Sequence, residues 1–411
     1  MLARRARVGD TVEAVLASPL LRRPLLELYG MLALGDTIWS GTVPLSPVYR
    51  DHLGLTATMT GGLVAVYSVA VCLVSLPAGA VADRFGARRV TLASGAVMTG
   101  GVLLQSFPDS LGLLMAGRAL TGLGFGALWV AGVTLIGQVA PPELRSRALS
   151  ATIVIAGVGV SIGPAYAGAA VDALGLVTPF LLLAAASGAL TVALASAPSR
   201  AAVAMPERAS FGAALRLSRR DTLVLAGLTA MSVPAFINNA TNFQLSLDLA
   251  ARGVSTARTG LVFAAGAIAF TVAGALVTRR AERLANVTTA AITTAIFASL
   301  LALPLASASP ILLTAFVLAR APVAAILFCI SVPLANRGAD RAGIGSGAVL
   351  GLLNVVWAIS AVVAPVAAGL LADSLGRRSV YAGLVVACAV GASAFLALRR
   401  QSPIARSVVE A

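Results

Sequence analysis

Gly79-Ala80-Val81-Ala82-Asp83-Arg84-Phe85-Gly86-Ala87-Arg88-Arg89 interrupts an otherwise apolar stretch, with one apolar run at about 58–82 before it and another at about 89–107 after it. Runs of about 20 residues cross the roughly 30 Å hydrocarbon core of a bilayer as helices. The interruption therefore reads as the charged turn of a membrane hairpin. Gly86 allows the tight reversal between two helices, and Gly79 lets another helix come close. Asp83 can accept from a neighbouring helix N-terminus or pair with arginines, a polar latch able to form and break. Arg84, Arg88 and Arg89 also suit the membrane surface as positive anchors.

Ten further runs of spanning length lie outward from this hairpin, at about 25–49, 111–139, 148–171, 178–197, 222–247, 258–278, 286–306, 309–333, 342–372 and 379–398. The chain of 411 residues is 58% hydrophobic and 11% charged, with mean hydropathy +0.93. Soluble domains carry about 25% charged residues, so lipid must cover this apolar surface. The spans are expected to be helices, because a lone strand cannot satisfy its backbone in hydrocarbon. The 40 glycines suit close helix–helix approach.

The net charge of +14 comes entirely from arginine, since the chain has no lysine. With the N-terminus inside, 23 arginines fall on cytoplasmic segments. Five fall on the opposite face: Arg50, Arg252, Arg258, Arg377 and Arg378. This bias predicts cytoplasmic termini in the inner membrane, with Arg377 and Arg378 as a local exception. The charges form short clusters rather than a water-facing stripe, so no nucleic-acid partner is expected. Cys72, Cys329 and Cys388 lie in apolar runs and read as small core residues. The single histidine, His52, lies in a predicted loop, which leaves no metal constellation. No cleavable signal peptide and no phosphate-binding G-x-x-x-x-G-K loop are apparent.

The longest polar connection divides the spans six and six. The expected organisation is a cytoplasmic segment 1–24, a six-helix bundle 25–197, a cytoplasmic linker 198–221, a second bundle 222–398 and a cytoplasmic tail 399–411. An internal repeat supports it. Gly163-Pro164-Ala165-Tyr166-Ala167-Gly168 and Val171-Asp172-Ala173-Leu174-Gly175 recur 201 residues later, as Ala364-Pro365-Val366-Ala367-Ala368-Gly369 and Ala372-Asp373-Ser374-Leu375-Gly376. Arg118 in span 4 has a counterpart 202 residues on in Arg320 of span 10. Parallel six-span repeats are one architecture of secondary transporters.

The 79–89 stretch resembles, position for position, the G-x-x-x-D-R-x-G-x-R-R signature of the major facilitator superfamily. Its second-half counterpart, Gly274 to Arg280, lacks the aspartate. Arg118-Ala119-Leu120-Thr121-Gly122-Leu123-Gly124 resembles the family's buried-arginine R-x-x-x-G-x-G pattern. Gly159, Gly163, Pro164 and Gly168 resemble the G-x-x-x-G-P-x-x-G-G interface helix of proton-coupled exporters, with Ala167 in place of one glycine. Gly35 to Pro47 resembles the first span of drug-exporter-like members. The resemblance implies an all-α membrane fold, twelve transmembrane helices in two pseudo-symmetric six-helix bundles, with the substrate site near the midplane between them. It also implies a drug:proton antiporter-like mechanism that draws on the proton gradient and needs no cofactor.

Asp36 is the acid placed well inside a span, and a carboxylate there could gain and lose a proton as access alternates. Arg118 could set the protonation of Asp36, bind an anionic group or simply pair with it, because a charge in the membrane needs an interior partner. Span 7 carries Asn238, Asn239, Thr241, Asn242 and Gln244, with Asn238, Thr241 and Asn242 on one helical face. Those residues either glue helices together or line a wet cavity. Trp39, Arg320, Asn354 and Trp357 are the remaining cavity candidates. The leading expectation is a monomeric proton-coupled exporter of a small, partly apolar molecule, working by rocking of the two bundles. Proton-linked uptake of a sugar or organic anion, and a non-transporting sensor of the same fold, stay open. One intramembrane acid without intramembrane histidine argues against an enzyme.

Overall fold

The structure is a computed structural model that describes residues 23–197, 221–342 and 346–401. Nearly all of the expected N-terminal segment, linker and C-terminal tail lies outside the described residues. Among the described residues there are twelve long helices: α1 (Leu25–Leu53), α2 (Ala57–Phe85), α3 (Ala87–Leu104), α4 (Leu111–Val139), α5 (Arg145–Leu174) and α6 (Thr178–Ser196) form the first half. The second half holds α7 (Thr222–Ala250), α8 (Thr256–Thr278), α9 (Val287–Leu300, continued by Ala302–Ala306), α10 (Pro310–Ala342), α11 (Ser346–Leu375) and α12 (Arg377–Gln401). Ten of these helical segments are long and apolar enough to cross a membrane. The other two are α1, which carries Asp36, Thr37, Ser40, Thr42 and Ser46, and α3, which opens on Arg88 and Arg89. The polar content of α1 turns inward, since all five of those side chains are buried.

Each half has its own apolar core. Leu28, Met31, Leu32, Met98 and Leu128 belong to the first. Phe243, Phe297, Phe316, Leu327 and Phe395 belong to the second. Within the first half α1 packs on α5, α2 on α4, and α3 on α4 and α6. In the second half α7 packs on α10 and α11, α8 on α10, and α9 on α12. Large apolar side chains face outward around the molecule, among them Ile311 at 79% exposure and Val192 at 68%. Such surface is suited to lipid rather than water.

The repeat is visible in the turns. Gly54 (φ 62°) between α1 and α2 and Gly253 (φ 73°) between α7 and α8 both adopt the left-handed conformation that glycine accepts without strain. Two residues on, Thr56 and Ser255 cap α2 and α8, accepting from Met59 N and Arg258 N.

The halves meet through α5 against α8 and α2 against α11. A Cβ on Gly168 or Gly260 would overlap the carbonyl oxygen of Thr256 or Pro164, so the α5 and α8 backbones touch. The α2–α11 pair repeats this: Gly61 lies against the Pro365 carbonyl and Gly369 against that of Ala57. Two acids reinforce the contacts. Asp172 of α5 accepts from the Ala257 amide of α8 at 2.8 Å. Asp373 of α11 accepts from the amides of Ala57 (3.0 Å) and Thr58 (2.8 Å) and from the Thr58 hydroxyl (2.7 Å). All of these lie at the end carrying the α1–α2 and α7–α8 turns, here the closed end. Toward the other end, Leu73, Ile153 and Leu276 on α2, α5 and α8 are exposed. A cavity of about 610 Å³ opens there at the start of α5, lined by Arg145, Leu149 and Ile153 among others.

Three expectations change. Arg377 is not a stray surface charge on the arginine-poor face. It forms an ion pair at 3.0 Å with Asp248, which is 5% exposed. Asp36 is also not alone as a buried acid inside the helices, because Asp248 and Glu27 are buried too. Finally, α10 continues to Ala342 rather than ending near 333. Its polar last turns find partners outside the apolar layer: Arg337 binds the Ala285 carbonyl and the Glu282 carboxylate, each at 2.8 Å.

Candidate functional site

Asp36 sits on α1 where α5 comes closest. A Cβ on Gly159 would meet the Asp36 Cβ at 2.8 Å, and one on Gly163 would overlap the Ser40 hydroxyl. The interface motif therefore divides by face, with Gly159 and Gly163 against α1 and Pro164 and Gly168 against α8 of the other half. Ala167 fits because it lies opposite Gly41. The hydroxyls beside Asp36 are occupied by backbone, with Thr37 donating to Ala33 O (2.8 Å) and Ser40 to Asp36 O (2.8 Å). The Asp36 carboxylate is 8% exposed, and its buried Oδ2 has no hydrogen-bond partner among the described residues. Its ionisable neighbour is Tyr67 of α2, whose own buried hydroxyl is likewise unpartnered.

Arg118 of α4 does not pair with Asp36. Its guanidinium, 2% exposed, donates from Nε to Leu63 O (2.7 Å), from Nη1 to Thr42 Oγ1 (2.6 Å) and from Nη2 to Val64 O (3.3 Å). It also lies 5.8 Å from the centre of the Tyr67 ring. Arg118 thus ties α4 to α1 and α2, and Tyr67 stands between it and Asp36 in electrostatic reach of both.

In the second half, Arg320 of α10 donates from Nη1 to Asn238 Oδ1 and from Nη2 to Asn242 Oδ1, both on α7. Its buried Nε has no partner among the described residues. Thr241 shares their stretch of α7 but is fully buried and donates to Ile237 O (2.6 Å) on its own helix. Asn239 likewise donates to Ala235 O (2.8 Å). So the polar face of α7 splits into an arginine clamp and self-satisfied groups. Between the halves, the rings of Trp39 on α1 and Trp357 on α11 lie 5.5 Å apart at 56°. Asn354, one turn from Trp357, is exposed.

The latch stretch lies at the end opposite the closed one. Asp83 is exposed and makes no hydrogen bond or ion pair among the described residues. Gly79 is buried, and Gly86 (φ 88°) makes the turn into α3. Arg88 closes the C-terminus of α6, donating to Leu194 O (2.9 Å), Ala195 O (3.0 Å) and Ala197 O (2.5 Å). Arg84 lies 5.2 Å from the Phe85 ring, and Arg89 is exposed.

Sequence reasoning missed a buried polar cluster near the closed end. Asp248 accepts from Gln244 Nε2 (2.9 Å), Arg377 Nε (3.0 Å) and the Tyr381 hydroxyl (2.7 Å), while Arg377 also donates to Pro304 O (2.7 Å). The available signal was Arg377 itself, an arginine on the poor face that needed a reason to be there.

The sequence profile of the Major Facilitator Superfamily matches residues 28–350. An uncharacterised MFS-type transporter of Schizosaccharomyces pombe is 27% identical over 169 residues, 39% of this chain and 38% of that protein. The class C tetracycline resistance protein of Escherichia coli is 33% identical over 168 residues, 40% of this chain and 42% of that one. These matches thus span about two fifths of the relatives' length. Among solved structures, a bacterial homolog of the human lysosomal transporter Spinster, in an inward-facing and occupied conformation, superposes with a TM-score of 0.72 at 14% identity. That likeness covers 94% of this chain and 98% of the other.

Proposed function

The chain belongs to the major facilitator superfamily and is a multi-pass membrane transporter rather than an enzyme, and from that premise we propose that it exports a small, partly apolar molecule in exchange for protons. The observation that carries this reading is the Asp36 carboxylate, buried beside the meeting of the two halves without a hydrogen bond or ion pair among the described residues. Asp248 in the other half accepts from three donors. Asp36 has nothing comparable to fix its proton. A relative named for tetracycline resistance supports the export direction.

The arginine bias puts the closed end outside, which makes this arrangement inward-facing. In the cycle, Asp36 releases its proton toward the cytoplasm and the transported molecule enters beneath the Trp39–Trp357 pair. The halves then rock: the closed end parts, the Trp pair separates, and the end carrying Asp83 closes. Asp36 takes a proton from outside as the cargo leaves. A proton entering across 100 mV supplies about 2.3 kcal/mol, and each pH unit of gradient adds about 1.4 kcal/mol.

The test is proteoliposomes enclosing a pH dye, with an imposed proton gradient and a panel of compounds that begins with tetracycline. Compound-dependent proton movement in the wild type that vanishes in Asp36→Asn is the expected result. Coupling that survives in Asp36→Asn removes Asp36 from the role. An absence of proton movement with every compound overturns proton coupling.

A further inference from the structure

We propose that Arg320, clamped by Asn238 and Asn242, is the binding subsite for a carboxylate group on the transported molecule; this deepens the transporter reading above and names the class of its cargo.

The argument starts with charge. In the first half Asp36 and Arg118 both lie within electrostatic reach of Tyr67, so that arginine has a buried acid in its neighbourhood. The second half has a buried acid of its own, Asp248, but Arg377 takes it. Arg320 is 6% exposed, and no carboxylate lies within ion-pair distance of it among the described residues. A buried cation without a counter-ion is expensive in a low-dielectric interior. The protein answers with two neutral amides, which solvate the guanidinium but leave its charge.

Hydrogen bonding points the same way. A guanidinium carries five N–H donors and no acceptor. Two are spent on the asparagine oxygens, and Nε–H is buried without an acceptor. Only the amide oxygens can accept from arginine, so the NH2 groups of Asn238 and Asn242 remain as further donors. Both asparagines are half-buried, so the patch is not fully sealed. The site offers donors and positive charge together, which fits a planar carboxylate able to take two parallel bonds. Arg118 cannot do this, because its Nε already serves the Leu63 carbonyl and its guanidinium is 2% exposed. Arg320 lies ten residues into α10, about 15 Å from its start. That depth suits a solute held between the bundles rather than a lipid headgroup at the surface.

The experiment measures thermal unfolding of the purified full-length protein in detergent with matched probes: benzoate against benzamide, and 2-naphthoate against 2-naphthamide. The acids should bind at least tenfold more tightly than their amides, about 1.4 kcal/mol. Arg320→Gln should abolish the difference. Asn242→Asp keeps the arginine but gives it a carboxylate of its own, so it should also abolish the preference while leaving the fold intact. Asp36→Asn should retain it, which separates this assignment from proton coupling, since no gradient is present. Equal binding of acid and amide, no binding of either acid, or a preference that survives Asn242→Asp would overturn the proposal.

Discussion

Gly61 and Gly62 are neighbours on α2, yet a methyl group on each should have opposite consequences. At Gly61 a Cβ would overlap the Pro365 carbonyl oxygen of α11, lie 2.8 Å from its carbon and stand 3.2 Å from the Val366 Cα. At Gly62 nothing lies within 4 Å. The atoms met by Gly61→Ala are backbone of the other half, so no rotamer change relieves the overlap. Ordinary contact begins at 3.4 Å, so α2 and α11 must move apart by more than half an ångström at their tightest point. Overpacking of this kind costs about 1–3 kcal/mol. The cost falls only on the arrangement in which the closed end is shut, because parting the halves removes it. A central value of about 2 kcal/mol is roughly 30-fold in the equilibrium, so a shut-to-open ratio of about 99:1 would fall to roughly 3:1. Alanine adds helix propensity at both positions, so each half stays folded. The assay is spin-label distance measurement across the closed end, with labels at the exposed Asp51 and Arg378 in a background lacking Cys72, Cys329 and Cys388. Gly61→Ala should populate longer distances and Gly62→Ala should not. Identical distance distributions for the two variants would refute the claim that backbone contact at Gly61 sets the tightness of this end.

Asp373→Ala removes three hydrogen bonds across the same seam and should open it by about 1–2 kcal/mol; Asp172→Ala removes one and should do less, both read by the same labels. Asp248→Ala takes the carboxylate from the half-buried Arg377 and the acceptor from the buried Tyr381 hydroxyl, and should lower the stability of the protein by about 1–3 kcal/mol in thermal unfolding, whereas Asp83→Ala should change it little. If the cargo is a monovalent acid exchanged for one proton, both movements carry charge in the same sense. Transport should then respond to an imposed potassium-diffusion potential with about 4.6 kcal/mol per 100 mV, and a rate insensitive to that potential would exclude the one-for-one exchange.

Much of the scaffold was legible because it depends on local composition. The twelve apolar runs fall on the twelve long helices of the described residues with ends shifted by a few residues except at the C-terminus of α10, and the six-and-six repeat appears in the Gly54/Gly253 turns and the two acid-capped seams. Where the reading stopped, the missing information was a contact between residues far apart in the chain. Asp248 fell just past the expected end of span 7, so its pairing with Arg377, 129 residues on, had no local sign. The spacing of Asn238, Thr241 and Asn242 gave a shared helical face but not that Arg320 would occupy it. Asp172 and Asp373 were visible as repeated letters, but their capping role requires knowing which helix N-terminus lies opposite. Which end is shut could not be read at all, since one sequence must serve both arrangements.

The two halves share their seams and differ in their interiors. Their seams are near copies: an acid capping a helix of the opposite half, and paired glycines that bring backbones into contact, at offsets of 201 and 199 residues. At the interior the correspondence breaks. The offset of 199 fixed by the turns places Tyr49 against Asp248, and the offset of 201 places Phe180 against Tyr381. In the first half these positions hold an aromatic pair with ring centres 6.5 Å apart, and in the second a buried ion pair with a tyrosine. The arginines diverge likewise, with Arg118 bound to backbone carbonyls and a threonine, and Arg320 to two amides. One half keeps an unpaired acid and the other an unpaired base. That is the division expected if a proton is handled on one side of the central space and an anionic cargo on the other, and a symmetric interior could not treat the two differently.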